Sequence, residues 1–256
     1  MTAAAPTTAA RRAEMPGTPP IVLIHGVGFG PETLAPIALA LASYGPVISV
    51  ARRGYGERVG VPPAASVAEH VDDVLAVLDD AGTERAVVAG MSGGATVALA
   101  LALSRPERVV IAVAHEPAVG SLSPELRALV RGALSAGGGG ELLRVLAGAQ
   151  TWGNLPEDVI SALDACPALV EADARAFLSF EPHLPADPAT PPLVCSVGDR
   201  SSALRFTVAD RLAARTGAPV AVVPECGHLP QFDAPEAFAR LIIDQAVVKS
   251  VEIGAR

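Results

Sequence analysis

Six short apolar runs recur along the chain, and polar residues rarely alternate with apolar ones inside them. The runs cover residues 21–24, 47–50, 86–89, 109–114, 193–197 and 219–223. Strands without such alternation are typical of parallel sheets that are covered by helices on both faces. Segments with helical periodicity lie between the runs, at residues 31–43, 67–81, 93–104, 202–216 and 235–248. The pattern predicts an α/β fold, with a doubly wound, mostly parallel sheet of about six to eight strands.

One long stretch breaks this alternation. Residues 117–190 contain no strong strand pattern and four helical ones, at 124–135, 141–149, 156–164 and 167–180, with a glycine break at 137–140. The stretch follows a strand that ends at the carboxyl edge of the sheet, where ligands bind in such folds. We expect a helical cap insertion over the site, the alternative being plain packing on the sheet edge. The expected division is a disordered tail at 1–18, a core at 19–116 and 191–250, and the cap at 117–190.

Composition narrows the class of protein. The chain has 256 residues, of which 50% are hydrophobic and 18% are charged, as in a globular protein with a full core. Its formal net charge of −8 disfavours nucleic acid and anionic membrane surfaces as partners. The first twenty residues lack the apolar segment of a secretory signal, and no run has the length and apolarity of a membrane span.

Cysteine usage favours a reducing compartment. Cys166, Cys195 and Cys226 are odd in number and have no paired spacing, so neither a disulfide framework nor a zinc site is expected. We therefore expect a cytoplasmic protein without a bound metal.

A serine stands between glycines where a predicted strand meets a predicted helix. The segment Gly90-Met91-Ser92-Gly93-Gly94 matches the G-x-S-x-G pattern of a nucleophile elbow. Glycines permit the tight, strained turn that lifts the serine hydroxyl off the sheet, at the N-terminus of a helix. Ser92 is therefore the candidate nucleophile.

A serine hydroxyl needs a base that accepts its proton. His228 lies in the loop after the last predicted strand, and this loop returns to the same carboxyl edge as Ser92. His228 is therefore the candidate base. The other histidines fit less well, since His70 is expected on a solvated helix face and His115 precedes a proline turn. His183 lies in the predicted cap and could line a pocket.

These residues, in this order and on these elements, resemble the α/β-hydrolases over about residues 19–248. The resemblance rests on "HGVGFG" after the first strand, "RRGYGER" after the second, "GMSGG" at the elbow and "GHLPQFDAPEAF" near the end. It implies a serine-type hydrolytic site, with an oxyanion hole formed by the backbone N–H groups of Val27 and Gly93. It also implies that His25 is a structural residue that shapes the loop after the first strand.

The triad acid has two candidates. In the family the acid normally lies a few residues beyond the glycine that ends the penultimate strand, where this chain has Arg200-Ser201-Ser202, with Asp199 just before them. Glu116 ends the strand that follows the elbow helix, and some members of the family carry their acid there. A carboxylate on either strand can hold the histidine in the required tautomer and stabilise its charged form. Glu116 is the preferred candidate, and Asp199 is the alternative.

The sequence thus predicts a cofactor-free serine hydrolase that cleaves a small to medium carboxylic ester, lactone or thioester through an acyl-enzyme. The expected partner is a small ester-like molecule, and a cationic pocket would favour an acidic one. The fold also serves other functions. The alternatives are a hydrolase-fold binding protein or receptor with little turnover, or a cofactor-free peroxidase, C–C hydrolase or lyase. The sequence does not predict an oligomeric state.

Overall fold

The computed structural model describes residues 18–164, 167–183 and 191–254. Within these ranges six strands form one sheet: β1 Ile21–Ile24, β2 Val47–Val50, β3 Ala86–Met91, β4 Val109–His115, β5 Leu193–Gly198 and β6 Val220–Val223. Their order is β2-β1-β3-β4-β5-β6, and all neighbours pair in parallel. The predicted α/β fold with a parallel, doubly wound sheet is confirmed.

Helices connect the strands and cover both faces of the sheet. The α-helices are α1 Ala35–Leu41, α2 Val67–Asp80, α3 Gly93–Ser104, α4 Pro124–Ala147, α5 Ala149–Gly153, α6 Glu157–Asp164, α7 Pro167–Leu178, α8 Ala203–Thr216, α9 Pro230–Asp233 and α10 Pro235–Gly254. Short 3-10 turns lie at Pro31–Leu34, Gly56–Arg58, Pro106–Arg108 and Gly120–Leu122. In the part of the chain that the structure describes, none of these helices combines the length and the apolarity that a membrane span requires.

The two faces of the sheet belong to two apolar clusters. Ile21 and Leu23 of β1 pack in a cluster with α1 and α10, whereas Val22 and Ile24 pack in a cluster with α2, α3 and α8. All four side chains are buried. Because alternate residues of a strand point to opposite faces, a strand that is buried on both faces must be apolar at every position. This explains the continuous apolar runs of the sequence.

The strand order reverses between β1 and β3, which creates a crevice at the carboxyl edge of the sheet. The loops that leave β1 and β3 meet at this crevice. A Cβ atom added to Gly26, just after β1, would lie 3.4 Å from Cβ of Ser92, just after β3. The candidate nucleophile therefore lies at the point where ligands bind in sheets of this type.

Helices α4 to α7 lie between β4 and β5 in the chain, within the predicted cap. Helix α4 bends at Gly137 and Gly138, whose backbone angles are not helical, at the predicted glycine break. Residues 165–166 and 184–190 of the predicted cap lie outside the described residues, as does the predicted tail up to residue 17.

Candidate active site

Ser92 occupies the turn between β3 and α3 with a backbone conformation that is strained for a residue with a side chain. Its φ is 54° and its ψ is −119°. The flanking glycines are required by close approach: a Cβ atom on Gly94 would overlap the carbonyl oxygen of Ile24, and one on Gly90 would overlap that of Gly94. Residues in strained backbone conformations concentrate at functional sites.

His228 and Glu116 are joined by a hydrogen bond of 2.7 Å between His228 Nδ1 and Glu116 Oε2. His228 lies in the loop between β6 and α9, and Glu116 directly follows β4 with a φ of 48°. Glu116 Oε1 accepts hydrogen bonds from the backbone N–H of Gly198, at 3.1 Å, and from the hydroxyl of Ser201. Ser201, which stands where the acid of the family is expected, thus holds Glu116 in place.

Asp199 has a different contact. Its Oδ1 accepts a hydrogen bond of 3.1 Å from the backbone N–H of Cys226, which ties the turn after β5 to the loop that carries His228. Among the hydrogen bonds and ion pairs of the described residues, none joins Asp199 to His228. Of the two candidate acids, the structure brings Glu116 to the histidine.

The histidine is uncharged at neutral pH. Burial and the neighbouring Arg205 guanidinium lower the pKa of His228 to about 4, against the opposing effect of Glu116. Burial disfavours ionisation of Glu116, yet the hydrogen bond from His228 and nearby positive charge hold the pKa of Glu116 well below its usual range. A carboxylate only accepts and a guanidinium only donates, so the ring carries its proton on Nδ1 and presents a lone pair on Nε2.

Arg205 is a residue of the site that sequence reasoning missed. It lies in the first turn of α8 and is only 7% exposed. Its Nη2 lies 3.3 Å from Nε2 of His228, and its Nε lies 3.5 Å from Oε2 of Glu116. The sequence held one indirect signal, the lack of an acid in the segment 200–202. An arginine on an amphipathic helix is otherwise common and does not indicate a site.

Val27 and Gly93, the residues of the predicted oxyanion hole, are neighbours in the structure. A Cβ atom on Gly93 would lie 2.9 Å from Cγ2 of Val27 and 2.6 Å from Cε2 of Phe177. Val27, Ser92 and Phe177 also line the same small cavity. The Val27 side chain of the loop after β1 and Phe177 of α7 therefore both lie against the first residue of α3, next to Ser92.

A buried ion pair holds the loop after β1. Arg52 Nη2 donates to the carbonyl of Gly26, at 2.9 Å, and to Oδ2 of Asp173, at 2.8 Å. The Tyr55 hydroxyl donates to the same oxygen of Asp173, at 2.8 Å, and accepts from the backbone N–H of Gly28, at 2.9 Å. Because Asp173 lies on α7, a helix of the predicted cap is tied to the loop that forms one side of the site.

The prediction for His70 was wrong. The sequence places it on a solvated helix face, but it is 1% exposed and its ring stacks on Phe177, with centroids 5.5 Å apart. Its Nε2 lies 3.7 Å from Oδ1 of Asp173. The face of α2 that carries His70 is covered by α3 and by the buried ion pair, which local periodicity does not reveal.

The remaining histidines make other contacts. His25 Nε2 accepts a hydrogen bond of 3.1 Å from the backbone N–H of Arg52, which fits the structural role implied by the resemblance. His115 is fully buried, with Nε2 3.0 Å from the carbonyl of Gly227. His183 is exposed.

Two cavities adjoin the candidate residues. The larger has a volume of about 690 Å³ and is lined by Glu116, His228 and Arg205, among others. The smaller has a volume of about 30 Å³, is almost entirely apolar and contains Ser92. Arg205 lines both. Within residues 18–164, 167–183 and 191–254, no group of three or more His, Cys, Asp or Glu side chains could hold a metal ion.

A family model described as the alpha/beta hydrolase family matches residues 21–241. Curated relatives match a shorter part. "Putative carbamate hydrolase RutD" of Caulobacter vibrioides (strain NA1000 / CB15N) is 34% identical over 90 residues, which are 35% of this chain and 34% of the relative. "Uncharacterized hydrolase YraK" of Bacillus subtilis (strain 168) is 32% identical over 101 residues, 39% of this chain and 37% of the relative. These matches span little more than a third of the relatives' length.

Solved structures are similar over almost the whole chain. A malate-bound thermophilic esterase from Thermogutta terrifontis has a TM-score of 0.72 and 23% identity, and the match covers 96% of this chain and 99% of the esterase. The enol-lactonase from Burkholderia xenovorans LB400 has a TM-score of 0.65 and 18% identity, with coverage of 91% and 93%. At these identities the likeness is one of fold.

Proposed function

This chain belongs to the alpha/beta hydrolase family, and we propose that it is a serine hydrolase that cleaves a small to medium carboxylic ester, lactone or thioester. Ser92 attacks the carbonyl carbon, His228 takes the serine proton and returns it to the leaving group, and water then releases the acyl-enzyme. The observation that carries the proposal is the 2.7 Å hydrogen bond from His228 to Glu116, at the same sheet edge as the strained Ser92.

Glu116 is the proposed acid, in preference to Asp199. Its carboxylate is buried and ionised, and it accepts the Nδ1 proton, so Nε2 is left as the basic nitrogen. When the ring becomes charged during the reaction, this carboxylate stabilises it. The backbone N–H groups of Val27 and Gly93 are the proposed oxyanion donors, and each donor of this kind contributes on the order of 100-fold or more in rate.

The names of the similar proteins support the substrate class. They include a carbamate hydrolase, an esterase and an enol-lactonase. Carbamates, esters and lactones all present a carbonyl carbon with a heteroatom leaving group, and all pass through a tetrahedral oxyanion when a serine attacks. A site with an oxyanion hole and a Ser–His pair suits this whole class.

We further propose that the helices within 117–190 act as a cap over Ser92. Supporting this, Leu126, Val130 and Leu142 of α4 and Phe177 of α7 line the small cavity that contains Ser92. Their apolar side chains would exclude water from the reacting carbonyl, which strengthens the electrostatic interactions of a site.

The proposed compartment is the cytoplasm. Cys195 and Cys226 are free thiols, and both are buried. Burial raises the pKa of Cys195 to about 12, so its thiol is not a nucleophile at neutral pH. Unpaired, unreactive cysteines fit a reducing environment.

A fluorophosphonate probe tests the proposed nucleophile without knowledge of the substrate. The probe should form a covalent adduct on Ser92, located by mass spectrometry, and labelling should disappear in Ser92→Ala and His228→Ala. Ser104→Ala, the same substitution at the far end of α3, is the matched control and should be labelled like the wild type. If neither the folded wild-type protein nor a folded Arg205→Met variant carries an adduct on Ser92 after prolonged incubation, the proposal is wrong.

Two observations favour a second function, a binding protein with little turnover. Arg205 donates to the nitrogen of His228 that a catalytic base must keep free, and the cavity at Ser92 has a volume of only about 30 Å³. A binding protein would form no more than one acyl-enzyme per molecule, so measured product beyond one equivalent per protein excludes this function.

A further inference from the structure

Arg205 is placed where it interferes with the proposed reaction. Nε2 of a neutral imidazole has a single lone pair, and the Nη2 of Arg205 points to it at 3.3 Å. The Ser92 hydroxyl must donate to the same lone pair before His228 can act as a base. The guanidinium must therefore turn away from His228 before Ser92 can react.

Arg205 also limits the space next to Ser92. The cavity at Ser92 has a volume of only about 30 Å³, whereas the neighbouring cavity that contains His228 has a volume of about 690 Å³. Arg205 is the charged side chain among the described residues that line it, and it also lines the 690 Å³ cavity that contains His228. Arg205 and Leu146 line both cavities, so Arg205 forms part of the wall between them.

The carboxylates near Arg205 are already engaged. Oε1 of Glu116 accepts from Gly198 and Ser201, and its Oε2 accepts from His228 at 2.7 Å and lies 3.5 Å from Arg205 Nε. Asp233, in the wall of the larger cavity, accepts from Thr151 and from the backbone N–H of Gly227. Among the described residues, the side-chain contacts of the buried Arg205 guanidinium are one to a neutral imidazole and one long contact to a shared carboxylate, which use few of its five N–H donors.

A neutral ester offers only weak acceptors in place of the imidazole, whereas a carboxylate can pair with a guanidinium through two parallel hydrogen bonds. Resting on the serine hydrolysis proposed above, we propose that Arg205 is the specificity-determining residue and recognises a carboxylate on the substrate. The substrate class is then a half-ester of a dicarboxylic acid or a lactone with a carboxylate close to the scissile carbonyl. Binding of the carboxylate draws the guanidinium from Nε2, so the base is free for a larger fraction of the time when such a substrate is bound.

Two matched esters test this assignment. Ethyl hydrogen succinate and ethyl succinamate differ only in a carboxylate against a neutral amide of the same shape. The wild type is expected to favour the charged ester by about 10- to 100-fold in kcat/KM, the usual range for a buried charge-assisted hydrogen bond. Arg205→Met should abolish the preference, and Arg205→Lys should keep part of it. Arg215→Met, the same substitution at an exposed position on α8, should leave the ratio unchanged.

A second measurement needs no turnover. In a Ser92→Ala background, calorimetry should show tighter binding of ethyl hydrogen succinate than of ethyl succinamate by a similar factor, and Arg205→Met should remove the difference. The neutral fluorophosphonate should also label Ser92 faster in Arg205→Met than in the wild type, because Nε2 is then free.

The outcomes separate this inference from the proposed function. If Ser92 is labelled but the two esters bind and react equally well in the wild type, the inference is wrong and the proposed function stands. If Arg205→Met weakens both esters by the same factor, Arg205 only positions Glu116 and His228, and the inference is wrong again. If Ser92 is unlabelled in the wild type and in Arg205→Met, both proposals are wrong.

Discussion

Replacing Glu116 by glutamine changes the site by one atom and tests its proposed role directly. The Gly198 N–H donates to Oε1, so the amide oxygen of the new side chain should stay on that side and its NH₂ group should face His228. Two donors cannot share a hydrogen bond, so the ring must move its proton from Nδ1 to Nε2 or lose the contact. In either case Nε2 is no longer held ready to accept the proton of Ser92.

The size of the effect follows from the 2.7 Å contact. The charge centres of a carboxylate and an imidazolium in such a contact are about 4 Å apart, and at an effective dielectric constant of about 20 they attract by about 4 kcal/mol. Each 1.4 kcal/mol or so changes a rate tenfold, so the lost attraction alone lowers kcat by about 1,000-fold. Because the wrong tautomer adds to this, Glu116→Gln is expected to reduce kcat by about 1,000- to 10,000-fold.

The loss in kcat is measured by monitoring the release of alcohol from one soluble ester. Asp199→Asn is the matched control, because an asparagine carbonyl can still accept the hydrogen bond from Cys226. Its kcat should stay within about threefold of the wild type. Thermal melts of both variants show whether each is folded. A loss below about tenfold in folded Glu116→Gln, or a larger loss in Asp199→Asn, would refute the assignment of the acid.

Other perturbations test the buried framework around the site. Asp173→Asn leaves the Arg52 guanidinium buried without its carboxylate, so the free energy of unfolding in urea should fall by about 3–5 kcal/mol; an unchanged midpoint would contradict the importance of this pair. Gly94→Ala forces a methyl group onto the Ile24 carbonyl and should prevent folding, as judged by circular dichroism, whereas Gly132→Ala places its methyl group in free space on α4 and should raise the melting temperature slightly. Lowering the pH from about 7 to about 5 should lower the melting temperature, since burial lowers the pKa of four histidines below 6.5 in the folded chain. Between about pH 7 and about pH 5 the unfolded chain then binds more protons than the folded chain, so the free energy of unfolding falls as the pH falls. A melting temperature that does not change over this pH range would contradict the prediction. The four histidines are His25, His70, His115 and His228.

Much of the fold was predictable because its signals are local. A strand covered on both faces is apolar at every position, and the run at 21–24 matches β1, whose four residues are all buried. Gly217 ends α8 with a φ of 72°, where the sequence also ends its helical pattern. Such features depend on neighbours within a few residues, and one sequence is enough to detect them.

The candidate site was predictable only in part. Ser92 was identified because a G-x-S-x-G segment between a strand and a helix is a local pattern, and His228 because its loop must return to the same sheet edge. The choice between Glu116 and Asp199 stayed open in the sequence. Both follow strands that end at this edge, and spacing along the chain does not determine which side chain points to the ring.

The partners and the burial of the charged residues around the site depend on tertiary structure alone. Arg205 contacts a histidine 23 positions away, and Arg52 pairs with Asp173 across 121 positions. His70 is buried by the same arrangement. A charged or titratable side chain is tolerated in the interior only when a partner and a dry surrounding come together in space. The local pattern of the sequence was enough for the strands of the sheet, the strand-to-helix turn at Ser92 and the order of the candidate residues. The partners of each buried charge depend on through-space distances that no local pattern encodes.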